Sequence, residues 1–150
     1  MERLSEVQRR DVARHCTHFN LKRTVRRVTG HFDTALADSG LHITQFTLLV
    51  TSSLLGPVPL TELADQLTLD RTSLTRALEP LVRDGLMQVV TGDRDRRQRL
   101  VQITAHGETV MTRAYPAWQR AQQEVTEYLE AAEYDTFLDT LERLQTRSAV

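Results

Sequence analysis

The chain has 150 residues, with 19 Lys and Arg against 20 Asp and Glu, a formal net charge of −1 and a single cysteine. That length fits one domain with a real core, and one cysteine excludes an internal disulfide framework and suits a reducing compartment. No apolar run reaches the length of a membrane span or a secretory h-region, so the expectation is a soluble, cytoplasmic protein with no membrane partner.

A near-neutral total is at first sight poor for binding a polyanion, but the charge is unevenly distributed. Arg3, Arg9, Arg10, Arg14, Lys22, Arg23, Arg26 and Arg27 crowd the beginning, Arg94, Arg96, Arg97 and Arg99 crowd a short central loop, and Glu124, Glu127, Glu130, Glu133, Asp135, Asp139 and Glu142 crowd the end. Local field, not net charge, decides where a phosphate backbone docks.

In chain order, the first segment reads as one long helix from about Glu6 to Asp38, stopped at Ser39-Gly40. Val12, Cys16 and Phe19 form one apolar stripe, and Leu21, Val25, Val28, Phe32 and Leu36 form another on nearly the opposite side. A continuous helix of this kind buries one half on its own domain and the other on a second subunit. Next comes a helix carrying Phe46, Leu49, Val50 and Leu54, capped by Thr44 and closed at Gly56-Pro57, with Pro57 and Pro59 fixing an extended connection.

Leu60, Leu63, Ala64 and Leu67 give a short helix with a narrow apolar stripe. A break follows, and Asp70 stands where an N-cap belongs. The helix after it buries Leu74, Ala77, Leu78 and Leu81 at i, i+3, i+4, i+7 and turns Thr72, Arg76, Glu79 and Arg83 outward. Pro80 bends it beyond its second turn, and Gly85 ends it.

Met87 to Val90 and Leu100 to Ile103 are β-prone runs flanking a polar tip, GDRDRRQR, and read as a hairpin. Thr104 caps a long helix with Val110, Met111, Ala114, Trp118, Ala121, Val125 and Leu129, bent at Pro116. A last helix carries Tyr134, Phe137, Leu138, Leu141 and Leu144. The terminal helices hold more apolar surface than the centre can cover, which predicts an intertwined homodimer.

Helix, turn, helix, hairpin is the order by which a protein sets one helix in a major groove with an arginine tip beside it. The residues 69–76 (LDRTSLTR), 81–86 (LVRDGL) and 95–107 (DRRQRLVQITAHG) resemble the MarR family of bacterial winged-helix transcription regulators, over essentially the whole chain. Ile103 stands where the family wing pattern has Leu. The stretch 16–23 (CTHFNLKR) resembles a subgroup with C-x-x-F-N-L-R in its first helix, with Lys22 in place of the Arg.

The expected fold class is thus mainly α with a small β-hairpin wing (α+β): a single domain over 1–150 with a winged helix-turn-helix lobe over 41–104. Residues 5–40 and 105–147 form the dimerisation helices. The resemblance implies an obligate dimer on double-stranded DNA, reading by the helix from Asp70, and insertion of Arg97 into a minor groove.

Position on the helix assigns Thr72, Ser73 and Arg76 to base edges, and Arg71 and Arg83 to phosphates, with Thr75 also in the DNA-binding set of this helix. Against this stands a plain solvated face with Arg76–Glu79 and Glu79–Arg83 pairs worth about 0.2–0.5 kcal/mol each. In the wing, Arg94, Arg96, Arg97 and Arg99 suit a minor groove, whose negative potential attracts arginine. Asp95 holds one of them. The bland alternative is a solubilising tip.

The family also binds small aromatic or phenolic effectors, and here Phe19, Arg23, Phe46 and Trp118 are in place to line such a pocket; the apolar ones serve equally as core. Cys16, near Arg14, His15 and His18, has the setting of a redox thiol, but on its apolar stripe it also serves as a small hydrophobe. His15 and His18 share a face without a third ligand at metal spacing, so neither metal nor cofactor is expected.

The function expected is a homodimeric, sequence-specific regulator, a repressor on a pseudo-palindromic operator released by a small molecule or an oxidant. The competing classes are a thiol-dependent protein using Cys16 and an interaction module without DNA binding. No phosphate loop, nucleophile elbow or carboxylate pair supports an enzyme.

Overall fold

A computed structural model describes residues 3–92, 98–129 and 131–147. Seven helices and three short strands follow in the order α1 (Glu6–His15), α2 (Thr17–Leu36), a 3-10 turn (Ala37–Ser39), α3 (Ile43–Leu55), β1 (Val58–Pro59), α4 (Leu60–Gln66), α5 (Arg71–Arg83), β2 (Met87–Thr91), β3 (Arg99–Ile103), α6 (Ala105–Thr126) and α7 (Ala131–Arg147) among the described residues.

The core lies between α3, α4, α5, the small sheet and the first half of α6. Leu48, Leu49, Leu63, Leu74, Leu81, Met87 and Val101 are sealed from solvent there, with Leu36 joining from the end of α2. The four apolar positions expected on α4 face this core. On α5, Leu74, Leu78 and Leu81 are buried and Ala77 half-buried, which is the i, i+3, i+4, i+7 set.

The sheet is antiparallel in the order β1-β3-β2. Met87 pairs with Ile103 and Thr91 with Arg99, so the hairpin is one residue longer on each arm than the sequence suggests. Its third strand was not expected. The Pro57-Val58-Pro59 segment reads from sequence as an extended connection, and it is one, but Val58 and Pro59 also pair with Val101 and Leu100. Proline is tolerated there because β1 is an edge strand and needs few ladder donors.

The expected single helix from Glu6 to Asp38 is two helices. Cys16 leaves the helical region (ψ 109°) and separates α1 from α2. Breaking a helix orphans carbonyls one turn back, and Asn20 takes over here: its side-chain amide donates to both Arg14 O and Cys16 O at 3.0 Å. The first stripe is therefore split, with Val12 on α1, Cys16 at the break and Phe19 on α2 with the second stripe, and no single straight rod carries both.

Thr44 is not the cap of α3; His42 holds the N-cap position. The free amides at this end are met once locally and once from afar: Gln45 Oε1, in the first turn of α3, accepts from His42 N at 2.9 Å, and Asp33 Oδ1, on α2, accepts from Ile43 N at 2.7 Å. A cap supplied from ten residues away has no local signature. Leu54, expected on the buried stripe, is 82% exposed, because α3 runs past the core before Gly56 (φ +70°) stops it.

Thr104 caps α6 as expected, accepting from Gly107 N at 3.0 Å, and its hydroxyl donates to Gly85 O at 2.7 Å. One side chain thus ties the wing, the end of α5 and the start of α6 together. Gly107 is required by this closeness. A Cβ there would run into the Leu86 carbonyl oxygen and sit 2.7 Å from Ile103 Cγ1.

The outer helices are less enclosed. Val7, Val12, Phe19, Leu21 and Val25 on α1 and α2, and Phe137, Leu138 and Leu144 on α7, are all exposed. The α2–α6 packing is held by Phe32 and Ala121 and by His31, whose Nε2 lies 3.2 Å from Ala121 O and 3.3 Å from Glu124 Oε2.

Candidate nucleic-acid interface

The turn between α4 and α5 sets the orientation of everything that follows. Leu69 N donates to Ala64 O at 2.9 Å, and Thr68 takes a left-handed backbone (φ +51°), rare for a β-branched residue. Such a turn reverses the chain in few residues, so α5 crosses α4 at close range over the small Ala64.

Asp70 then holds the first turn of α5 open to solvent in a fixed geometry. Its Oδ1 accepts from Ser73 N at 2.9 Å and its Oδ2 from Ser73 Oγ at 2.6 Å. The Ser73 hydroxyl first, and then its amide, hold the Asp70 carboxyl below its ordinary value. Ser73, expected to read bases, is thus half-buried with its hydroxyl already donating to Asp70.

Arg71, Thr72, Thr75 and Arg76 are exposed on the first two turns, opposite the buried leucines. Thr75 Oγ1 donates to Arg71 O at 2.8 Å. Arg76 is in no ion pair among the described residues; the Arg76–Glu79 pair set against DNA contact does not form. The Glu79–Arg83 pair does not form either. Arg83 instead forks onto its neighbour Asp84, Nε to Oδ1 at 2.8 Å and Nη2 to Oδ2 at 3.2 Å. That fork raises the Arg83 pKa and lowers that of Asp84, so Arg83 offers phosphate a charge already partly met.

Arg94, Asp95, Arg96 and Arg97 lie outside the described residues. The hairpin beneath them is closed by Gly92 N donating to Gln98 O at 2.9 Å, and Arg99 stands exposed at its root opposite Thr91.

Of the four residues assigned to an effector pocket, the fold brings two together. Phe46 and Trp118 stack at 6.1 Å between centroids, Tyr115 stacks on Trp118 at 5.6 Å, and with Val50, Met111 and Thr112 they line a cavity of about 380 Å³. Phe19 and Arg23 are elsewhere, on the exposed first half of α2, where Arg23 lies over the Phe19 ring at 5.6 Å. Tyr115 was not named from sequence, and Met111 only as an apolar position of the long helix; the i, i+4, i+7 spacing of Met111, Tyr115 and Trp118 was the available signal.

Cys16 is half-buried at the α1–α2 break. His15 is engaged by Asp11 at 2.7 Å, and among the described residues no three metal-binding side chains converge. No described helix is long and apolar enough to cross a membrane.

A three-element helical unit with a β-hairpin beside it, an exposed polar face on its third helix and that helix capped at the exposed end, defines a winged helix-turn-helix DNA-binding protein. The comparisons agree. Residues 41–98 match the family model described as MarR family. A transcriptional regulator of M. tuberculosis, MosR, solved in complex with DNA, is 32% identical; the match covers 91% of this chain and 100% of that one, with a TM-score of 0.77.

The transcriptional repressor CouR, bound to a 23-mer DNA duplex, is 25% identical over 94% of this chain and 99% of that one, with a TM-score of 0.82. PcaV of Streptomyces coelicolor, solved with its natural ligand, shares the fold at 20% identity, covering 99% of each chain with a TM-score of 0.82. No curated protein matches the chain. The chain belongs to the MarR family, and it is a DNA-binding transcription regulator, not an enzyme.

Proposed function

We propose that two copies of this chain pair through their terminal helices and set the two α5 helices into successive major grooves of one DNA duplex, as a repressor on a pseudo-palindromic operator. The observation that carries this reading is the two-sidedness of α5. Leu74, Leu78 and Leu81 fix it to the core, while Arg71, Thr72, Thr75 and Arg76 stand together at its capped, solvent-facing end. Base edges are reached from the N-terminal turns of such a helix, and Arg76 has the reach and fork to hold a guanine edge. Arg97 enters the neighbouring minor groove, with Arg94, Arg96 and Arg99 flanking it. MosR and CouR, both solved on DNA, support the partner.

Release follows from geometry. The Phe46–Tyr115–Trp118 cavity lies between α3 of the DNA-binding lobe and α6 of the dimerising helices. A small aromatic effector seated there changes the angle between lobe and dimer, and with it the spacing of the two α5 helices, which must stay near 34 Å. PcaV, which shares the fold and was solved with its natural ligand, supports a ligand-responsive state. A second signal, oxidation of Cys16, is favoured by one observation: the thiol sits at the α1–α2 break, where a bulkier oxidised sulfur would disturb both helices.

The test is a gel shift against the region upstream of the chain's own gene, with excess unrelated DNA as competitor. The expected result is a discrete complex at roughly 10⁻⁸ M or below, weakening steeply with salt. Binding that competitor abolishes, or no binding, would leave an interaction module instead. Peroxide that leaves that complex unchanged in both wild type and Cys16→Ser would remove the oxidant signal alone.

A further inference from the structure

The chain builds one turn twice. After α5, Gly85 N donates to Val82 O at 3.1 Å and Leu86 N to Leu81 O at 2.8 Å. After α4, Thr68 N donates to Asp65 O at 3.1 Å and Leu69 N to Ala64 O at 2.9 Å. Both are the paired closure in which the residue just past the helix takes a left-handed backbone, a place suited to glycine. Gly85 meets that need at φ +71°, whereas Thr68 stands there at φ +51°. Among the described residues Thr68 is the only non-glycine with a positive φ. A β-branched side chain is strained in that conformation.

Nothing among the described residues offsets the strain. The Thr68 side chain is exposed, and its hydroxyl has no hydrogen bond to any described residue. Thr47, Thr51 and Thr75, by contrast, each donate to a carbonyl one turn back. A strained backbone that presents an unpartnered polar group to solvent points to a partner outside the chain. The place of the turn says which. Thr68 lies two residues ahead of the N-cap Asp70, close in sequence to the exposed Arg71 and Thr72 at the outward end of α5. In a helix-turn-helix, the helix before the reading helix crosses the DNA backbone, so phosphates pass beside this turn.

We propose that the Thr68 hydroxyl donates to a phosphate oxygen at the edge of the major groove that α5 enters, and so fixes the register of that helix. This rests on the DNA reading proposed above. Thr68 brings no charge and touches no base, so the contact orients α5 without adding sequence preference. Glycine would close the turn with less strain but would leave that phosphate without its donor.

Three substitutions separate the hydroxyl from the backbone. Thr68→Gly removes strain and hydroxyl together, Thr68→Ala removes the hydroxyl but keeps a Cβ, and Thr68→Ser keeps the hydroxyl. Each is followed by thermal unfolding and by anisotropy titration on the duplex upstream of the chain's own gene. Thr68→Gly should raise Tm by roughly 2–4 °C and yet weaken binding roughly ten-fold. Thr68→Ala should weaken binding as much, while Thr68→Ser should bind as wild type. A turn with a structural role alone predicts the reverse for glycine, a higher Tm with binding kept or tightened.

The loss should be equal on the upstream duplex and on mismatched versions of it. It should also leave the salt slope unchanged, unlike Arg71→Ala, which should lower that slope by about 1. Neutral methylphosphonates scanned along the duplex should find a phosphate in each half-site whose replacement weakens wild type but not Thr68→Gly. Thr68→Gly that binds as wild type or lowers Tm overturns the proposal. So does Thr68→Ser that loses as much as Thr68→Gly, or a loss confined to one base position. A wild type that does not prefer this duplex to unrelated DNA would instead remove the reading on which the proposal rests.

Discussion

Asp70 holds Ser73 by two hydrogen bonds at once, to its amide at 2.9 Å and to its hydroxyl at 2.6 Å. Ser73, which helix position assigns to base edges, is thereby also part of the helix cap. What remains outward at the end of α5 is Arg71, Thr72, Thr75 and Arg76, held in place by the cap.

Asp70→Ala should lower Tm by a few degrees and weaken DNA binding together, because the first turn frays; Asp70→Asn, which still accepts from an amide, should lose less of both. The pH dependence has a definite sign. The folded carboxyl titrates below its ordinary value of 3.8, so its stabilising contribution is present above that value and is lost as the pH falls through the lowered one. The Tm difference between wild type and Asp70→Ala should be constant at neutral pH and close up only in acid. A gap that widens on acidification contradicts this.

Gly107 is a helical position at which alanine should do harm. In an open helix, Gly→Ala adds up to about 1 kcal/mol of stability. Here the new Cβ meets the Leu86 carbonyl and Ile103, and both belong to the wing–α6 junction that Thr104 ties together. Gly107→Ala should cost about 1–3 kcal/mol in urea unfolding, and Gly107→Val more.

Ser52 gives the opposite expectation. Its hydroxyl is fully buried in α3 and has no hydrogen-bond partner. A buried, unmatched hydroxyl costs about 1–3 kcal/mol, so Ser52→Ala should leave stability unchanged or raise it by about 1 kcal/mol. A clear loss in the same assay would mean that the hydroxyl is satisfied.

Arg76 and Arg83 should separate in DNA binding although both are exposed arginines on α5. Arg76→Ala should cost about 1–3 kcal/mol and relax the preference at one operator position. Arg83, forked onto Asp84, should lose less, and Asp84→Ala should tighten binding by freeing its charge. Anisotropy titrations on one duplex distinguish these, and equal losses for the two arginines would contradict the assignment.

Most of the DNA-binding lobe was legible because its signals are local. Asp70 and Thr104 announce caps, Gly85 a stop, and the leucine spacing a buried face, all within one or two turns of the residues they govern. What was missed depends on distant partners. Asp33 caps α3 from α2, so Thr44 seemed the better candidate. Val58 becomes a strand only because Val101 lies beside it. The break at Cys16 needs Asn20 to rescue Arg14's carbonyl, and no periodicity records that. The same holds for the aromatic cavity: Phe46 and Trp118 meet across α3 and α6, whereas Phe19 and Arg23 do not reach them within one chain.

The measurement that bears most directly on the central claim is selection of binding sites from a pool of random duplexes by the purified wild-type protein. The account predicts an enriched pseudo-palindrome whose half-sites are centred about one helical turn, roughly 10 base pairs, apart, with one position losing its preference in Arg76→Ala. An enriched single, asymmetric motif would contradict paired α5 helices, and a pool that stays random would contradict sequence reading altogether.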